Sequence, residues 1–153
     1  MTTRLKLRLL AIASAGGHWE QMMLVRAAFS DVQVLYLTTM AGLPERFDAL
    51  PARTIADCDR QKKFAIMTSA VGIARHFLYY RPDVVFTTGA LPGLIAIIFG
   101  RIIGSHTIWL DSLANADKLS MSGRWAKRFA HECLSQWEHV AEVEGVEFVG
   151  NVL

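Results

Sequence analysis

The stretch LRLLAIASAGGHW, Leu7–Trp19, decides the fold. Leu7 to Ala13 is apolar except at Arg8. A run of this kind reads as a strand covered on both faces, as in a parallel sheet. Ser14, Ala15, Gly16 and Gly17 then supply a tight turn. Trp19–Phe29 has helical spacing through Met22, Met23, Arg26 and Ala27, and Val32–Leu37 alternates as a second strand. Strand, glycine turn, helix, strand is a βαβ unit.

The rest of the chain extends that unit. Thr38–Arg60, with Gly42, Pro44 and Pro51, reads as a loop or short irregular elements. Gln61–Tyr80 reads as a helix, with Phe64, Met67, Val71 and Leu78 on one stripe. Pro82 stops it. Asp83–Thr87 is a short buried strand, followed by a second glycine-containing turn, Thr88–Gly93. Pro92 suits a first helical position, and Gly104 ends the helix near Ile103. Ser105–Leu110 is another strand, ending at Asp111. Ser122 can cap a helix through Ala130, and Cys133–Ser135 and Glu147–Val149 are later strands. The expectation is one α/β domain over residues 1–153, an open Rossmann-like sheet of five or six parallel strands with helices on both faces. Ligands of such sheets bind beyond the carboxyl ends of the strands. That directs attention to Ser14–His18, Thr38 onward, Thr87–Gly93 and Asp111–Asn115.

Composition narrows the function. The chain has 153 residues, 52% hydrophobic and 20% charged, enough to build a core. Its net charge of +2 does not argue for nucleic acid, and no nucleic-acid module is visible. Basic residues gather at Arg4, Lys6 and Arg8 and at Arg124, Lys127 and Arg128. Such clusters suit an anionic lipid surface or are simply solvated edges. Cys58 and Cys133 show neither metal spacing nor a disulfide framework. No run of 18 apolar residues occurs, so membrane contact is expected to be peripheral.

At the first strand exit, Gly16 and Gly17 expose backbone N–H groups at a helix N-terminus, a place for phosphate or merely a close turn. The loop lacks the Lys-Ser/Thr ending of a nucleotide triphosphatase loop and the third glycine of a dinucleotide fingerprint. His18 opens the helix and suits a general base or a hydrogen-bond donor to phosphate. Trp19 is a platform for sugar or lipid, or plain core. Thr88, Gly89 and Gly93 repeat the arrangement, so that two turns could grip one diphosphate. Asp111 either accepts a proton from an acceptor hydroxyl or pins the following turn. Arg124, Arg128 and His131 line up beside Trp125 and Phe129, as an interfacial helix would. His76, His106 and His139 have no clustered ligands and read as structural.

These strings together resemble a family: ASAGGHW at Ala13–Trp19, PDVVFTTG at Pro82–Gly89 with Pro92 and Gly93, TIWLDS at Thr107–Ser112, LSMSGR at Leu119–Arg124, and VGNVL at Val149–Leu153. The chain resembles the acceptor-binding, membrane-associated subunits of split UDP-sugar glycosyltransferases. It is similar to the bacterial exopolysaccharide type and to the anchoring subunit of the eukaryotic dolichyl-diphosphate N-acetylglucosamine transferase. The resemblance implies the N-terminal half of a GT-B enzyme, acting peripherally at the cytoplasmic face of the inner membrane. It implies an inverting transfer onto a polyprenyl-diphosphate-linked saccharide, with a separate donor-binding subunit holding the UDP-sugar. No cofactor or metal is expected on this chain. Ser14, Gly16, Gly17, His18, Thr88, Gly89 and Gly93 would hold the acceptor phosphates. His18 or Asp111 would be the base, and Trp19, Arg124, Trp125 and Arg128 would face membrane or acceptor. The chain stops at Leu153, about where the second half of a fused enzyme would begin, which fits a separate partner. The alternative is a non-catalytic membrane scaffold that recruits the donor-binding subunit.

Overall fold

The computed structural model describes residues 6–58, 61 and 63–152; Arg4 of the first basic cluster lies outside them. The elements in chain order begin with β1 (Arg8–Ala13), α1 (Gly17–Val25), a 3₁₀ turn (Arg26–Phe29), β2 (Gln33–Thr38), α2 (Leu43–Arg46) and β3 (Ala52–Thr54). They continue with α3 (Lys63–Tyr80), β4 (Val84–Thr87), α4 (Ala90–Ile103) and β5 (His106–Leu110). The last are α5 (Met121–Phe129), β6 (Glu132–Ser135), α6 (Glu138–Glu144) and β7 (Glu147–Phe148). The strands form one sheet in the order β3-β2-β1-β4-β5-β6-β7, and every pairing is parallel.

The first strand behaves as its apolar run requires. Leu9, Ala11 and Ala13 join the core that packs Trp19 and Met22 of α1, while Leu10 and Ile12 join Ile73, Phe77 and Ala96 of α3 and α4. Alternate side chains of a strand reach opposite layers, so only a strand covered twice has no polar face. The sheet grows outward from β1 through β2 and β3, and then from the other side of β1 through β4 to β7. The reversal places a topological switch between β1 and β4. On the α1 face, Leu9, Phe29, Phe86, Ile108 and Leu134 line an apolar groove of about 310 Å³.

The structure adds to and corrects the expected elements. Among the described residues the sheet has seven strands, because Ala52–Thr54 forms the paired edge β3, while the two-residue β7 stands where Glu147–Val149 was expected as a strand. Ala52–Thr54 was legible only as part of a loop, since three residues carry no period. α4 begins at Ala90 with Pro92 inside its first turn. Ser120, not Ser122, caps α5: its hydroxyl accepts from the Gly123 N–H at 2.8 Å. The stripe of Phe64, Met67, Val71 and Leu78 faces outward, and α3 buries Ser69, Ile73 and Phe77 instead. His131 is not in line with Arg124 and Arg128. It follows α5, where its Nδ1 accepts from the Thr107 N–H at 3.1 Å. Among the described residues, no helix is long and apolar enough to cross a membrane.

Candidate functional site

The loops that leave β1 and β4 start level, because Ile12 stands beside Thr87 in the ladder. Each turns on a glycine with positive φ, 79° at Gly16 and 128° at Gly89. Those values strain any residue with a Cβ. Both glycines are helix N-caps, and no side chain caps either α1 or α4. Their first-turn N–H groups have no acceptor within the helix, and the two helix dipoles place partial positive charge beside the switch. Gly16 and Gly17 are exposed. Ser14 is half-buried at the β1 exit, and its hydroxyl makes no hydrogen bond among the described residues. The Ala15 N–H donates to Thr39 Oγ1 at 3.1 Å, tying this loop to the β2 exit.

The loops touch. His18 Nδ1 lies 2.8 Å from the Thr88 carbonyl oxygen, and the Thr88 hydroxyl donates to the His18 carbonyl at 2.6 Å. A carbonyl only accepts, so Nδ1 is the donor, and the neutral tautomer that fits this bond has its lone pair on Nε2. Nε2 has no partner among the described residues. A Cβ on Gly89 would sit 2.6 Å from His18 Cε1. The imidazole therefore fills the gap between the turns, which were expected to grip one diphosphate between them. The turns leave the exposed Gly16–Gly17 backbone and Nε2 of His18 without a partner side chain among the described residues.

Four of the expected site residues take other roles. The Thr88 hydroxyl is committed to the loop-to-loop bond and its side chain is buried, so it offers no donor to a phosphate. Gly93 is buried in α4, where a Cβ would come 2.2 Å from Thr87 Oγ1; it lets helix and strand pack closely. Trp19 is fully buried, edge-on to Tyr36 with ring centroids 6.0 Å apart, and cannot be a surface platform. Asp111 is 2% exposed. Its Oδ1 accepts from Trp109 Nε1 at 2.9 Å and Ser120 Oγ at 2.6 Å, and its Oδ2 accepts from Asn115 Nδ2 at 3.1 Å and the Ser120 N–H at 2.9 Å. With four donors on two oxygens this carboxylate is an anchor for the 112–120 loop, not a base open to a hydroxyl.

Sequence reading missed a buried amide pair next to that loop. Gln21 Nε2 donates to Ser112 Oγ at 3.0 Å, and Gln21 Oε1 accepts from the Leu113 N–H at 3.0 Å. Gln136 Nε2 bridges Gln21 Oε1 and the Asp111 carbonyl, each at 2.9 Å. Gln136 Oε1 accepts from the Val152 N–H at 3.2 Å, so α1, the β5 and β6 exits and the C-terminal segment share one network. The signal for it was a glutamine on the buried side of α1, next to Met22.

Away from the loops, α3, α4 and α5 lie side by side. Ile66, Leu91, Leu94, Ile98, Trp125 and Phe129 line an apolar groove of about 390 Å³ between them. Trp125 is 50% exposed, with the Arg128 guanidinium 5.0 Å from its ring centroid. Arg124 and Arg128 are both exposed, as expected of a surface pair.

No family model matches the chain. Over 80 residues it is 32% identical to the UDP-N-acetylglucosamine transferase subunit ALG14 of Eremothecium gossypii, a match covering 48% of this chain and 36% of that protein. It superposes on MurG of Acinetobacter baumannii with a TM-score of 0.69 at 16% identity, covering 85% of this chain and 41% of the other. It superposes on UDP-N-acetylglucosamine 2-epimerase of Rickettsia bellii with a TM-score of 0.74 at 12% identity, covering 96% and 45%. The chain thus spans less than half the length of each. The fold is that of the N-terminal Rossmann-like half of GT-B proteins. The resemblance read from the two glycine turns and the Thr107–Ser112 strand stands, as similarity to a glycosyltransferase subunit.

Proposed function

We propose that this chain is the acceptor-binding half of a two-part glycosyltransferase. It holds a polyprenyl-diphosphate-linked saccharide, while a separate chain holds the UDP-sugar. Similarity to a transferase subunit and a fold that is half of a two-domain enzyme support the division of labour. The observation that carries the reading is the His18–Thr88 latch at the switch between β1 and β4. It fixes the imidazole with Nδ1 as donor, which leaves Nε2 to take a proton from the acceptor hydroxyl or to share a phosphate proton. The N–H groups of Gly16 and Gly17 at an uncapped helix start, with the Ser14 hydroxyl, suit the diphosphate. Asp111 stabilises the neighbouring loop. The apolar groove at Trp125, flanked by Arg124 and Arg128, suits the lipid and an anionic bilayer surface, with the chain lying peripherally on the cytoplasmic face of the membrane. Which sugar is moved, and whether the product is an exopolysaccharide, would be set largely by the donor half.

Reconstitution tests this. The chain alone should transfer no sugar, and with its donor-binding partner it should glycosylate a lipid-diphosphate acceptor. His18→Ala should lower that turnover by about 100-fold while complex formation persists. Full activity of the lone chain overturns the split. The scaffold reading is favoured by one observation, the fully satisfied carboxylate of Asp111. Unchanged turnover in the His18→Ala complex would establish it.

A further inference from the structure

A second cationic concavity lies away from the glycine turns, between α3 and the β2–β3 edge of the sheet. Its volume is about 710 Å³. Gly72, Arg75, His76 and Tyr79 fall at helical spacing on one face of α3 and form one wall; Arg53 on β3 stands in the other. Gly72 leaves the middle of the helical wall without a side chain, and its nearest neighbour there is a methyl of Ile55.

Among the described residues, neither Asp nor Glu lines this space. Arg53 Nη1 donates to the Ala52 carbonyl at 2.7 Å, which leaves most of its donors unused. The Arg75 guanidinium lies 5.9 Å from the Tyr79 ring centroid and has no acceptor among the described residues. His76 makes no hydrogen bond among the described residues. Its pKa is lowered by burial first, then by Arg53 and by Arg75, so both guanidiniums act on the same imidazole. Positive groups brought together without an acid repel one another, and an anion among them removes that cost. Guanidinium forks match the oxygens of phosphate two at a time.

We infer that the Arg53–Arg75–His76 groove is a phosphate-binding site, separate from the glycine turns, that takes a phosphate ester carried on a larger body. The phosphate engages the two arginines. The remaining volume and the Tyr79 ring receive what is attached to it. The source is either an anionic lipid headgroup or a soluble phosphate compound.

The test follows the His76 ring by NMR as a function of pH, with inorganic pyrophosphate, with short-chain phosphatidylglycerol and with short-chain phosphatidylcholine as probes. An anion at the groove favours the imidazolium, so the His76 pKa should rise when the right probe binds. A response to pyrophosphate identifies soluble phosphate as sufficient. A response to phosphatidylglycerol alone identifies the lipid headgroup. Arg75→Gln and Arg53→Gln should each weaken the effect by roughly ten-fold or more. In the ligand-free protein each should also raise the His76 pKa, because a positive neighbour is gone. That second readout shows the variants are folded and that the groups converge. No movement of His76 with any probe overturns the inference, as does an Arg53→Gln/Arg75→Gln double variant that responds like the wild type. Pyrophosphate binding at the glycine turns is read at His18, so the two sites fail or succeed separately.

Discussion

Gly89 and His18 are a matched pair. A Cβ at position 89 would come within 2.6 Å of the ring, and the positive φ there already favours glycine. The turn and the place of His18 at the helix start were readable from the sequence, because two glycines after an apolar run mark a strand exit. The partner that orients it, the Thr88 carbonyl, was not readable, since a backbone acceptor 70 positions away leaves no residue-type signal. Asp111 shows the same limit from the other side. A carboxylate after an apolar strand needs partners, but whether they come from substrate or from the chain depends on how the 112–120 loop folds back. Here the chain supplies all four. Asp111→Asn puts an amide donor among those donors and should destabilise the fold by about 2 kcal/mol or more in urea unfolding. A residue serving only as a base would leave that midpoint unchanged.

Elements were legible where one period dominates and obscure where two compete. β1, β2, β4 and β5 are short, apolar and bounded by glycine, proline or polar turns, and they stand within a residue or two of where their sequence puts them. α3 is apolar on opposite sides. Ile73 and Phe77 enter the core, while Phe64 and Leu78, each 76% exposed, belong to an outward stripe with Met67 and Val71. Periodicity locates such a helix but does not say which stripe is buried. An outward stripe on the helix next to the Trp125 groove suits the bilayer surface already proposed for α5. Met67→Glu should weaken co-sedimentation with anionic vesicles by about ten-fold, from the loss of one apolar side chain that the bilayer would bury. Leu24→Glu, on the opposite face of the sheet, should leave it unchanged. Equal binding by both variants and the wild type would remove α3 from the membrane face.

At the scale of the whole molecule, the sheet order sets the two glycine turns side by side. The chain builds β2 and β3 on one side of β1, then crosses to build β4 and the rest on the other. That reversal brings loops about 70 residues apart into contact at His18 and Thr88. The parallel class and the places of the strand exits were contained in the apolar runs and glycines. The closed latch and the shared Gln21–Gln136 network depend on tertiary packing and emerged only with the fold. The most direct test of the acceptor site is a backbone amide NMR titration with a water-soluble, short-chain prenyl-diphosphate sugar. The largest shifts should fall at Gly16, Gly17 and His18, and their loss in His18→Ala should accompany weaker binding. Shifts that spare those amides and gather elsewhere would contradict the account.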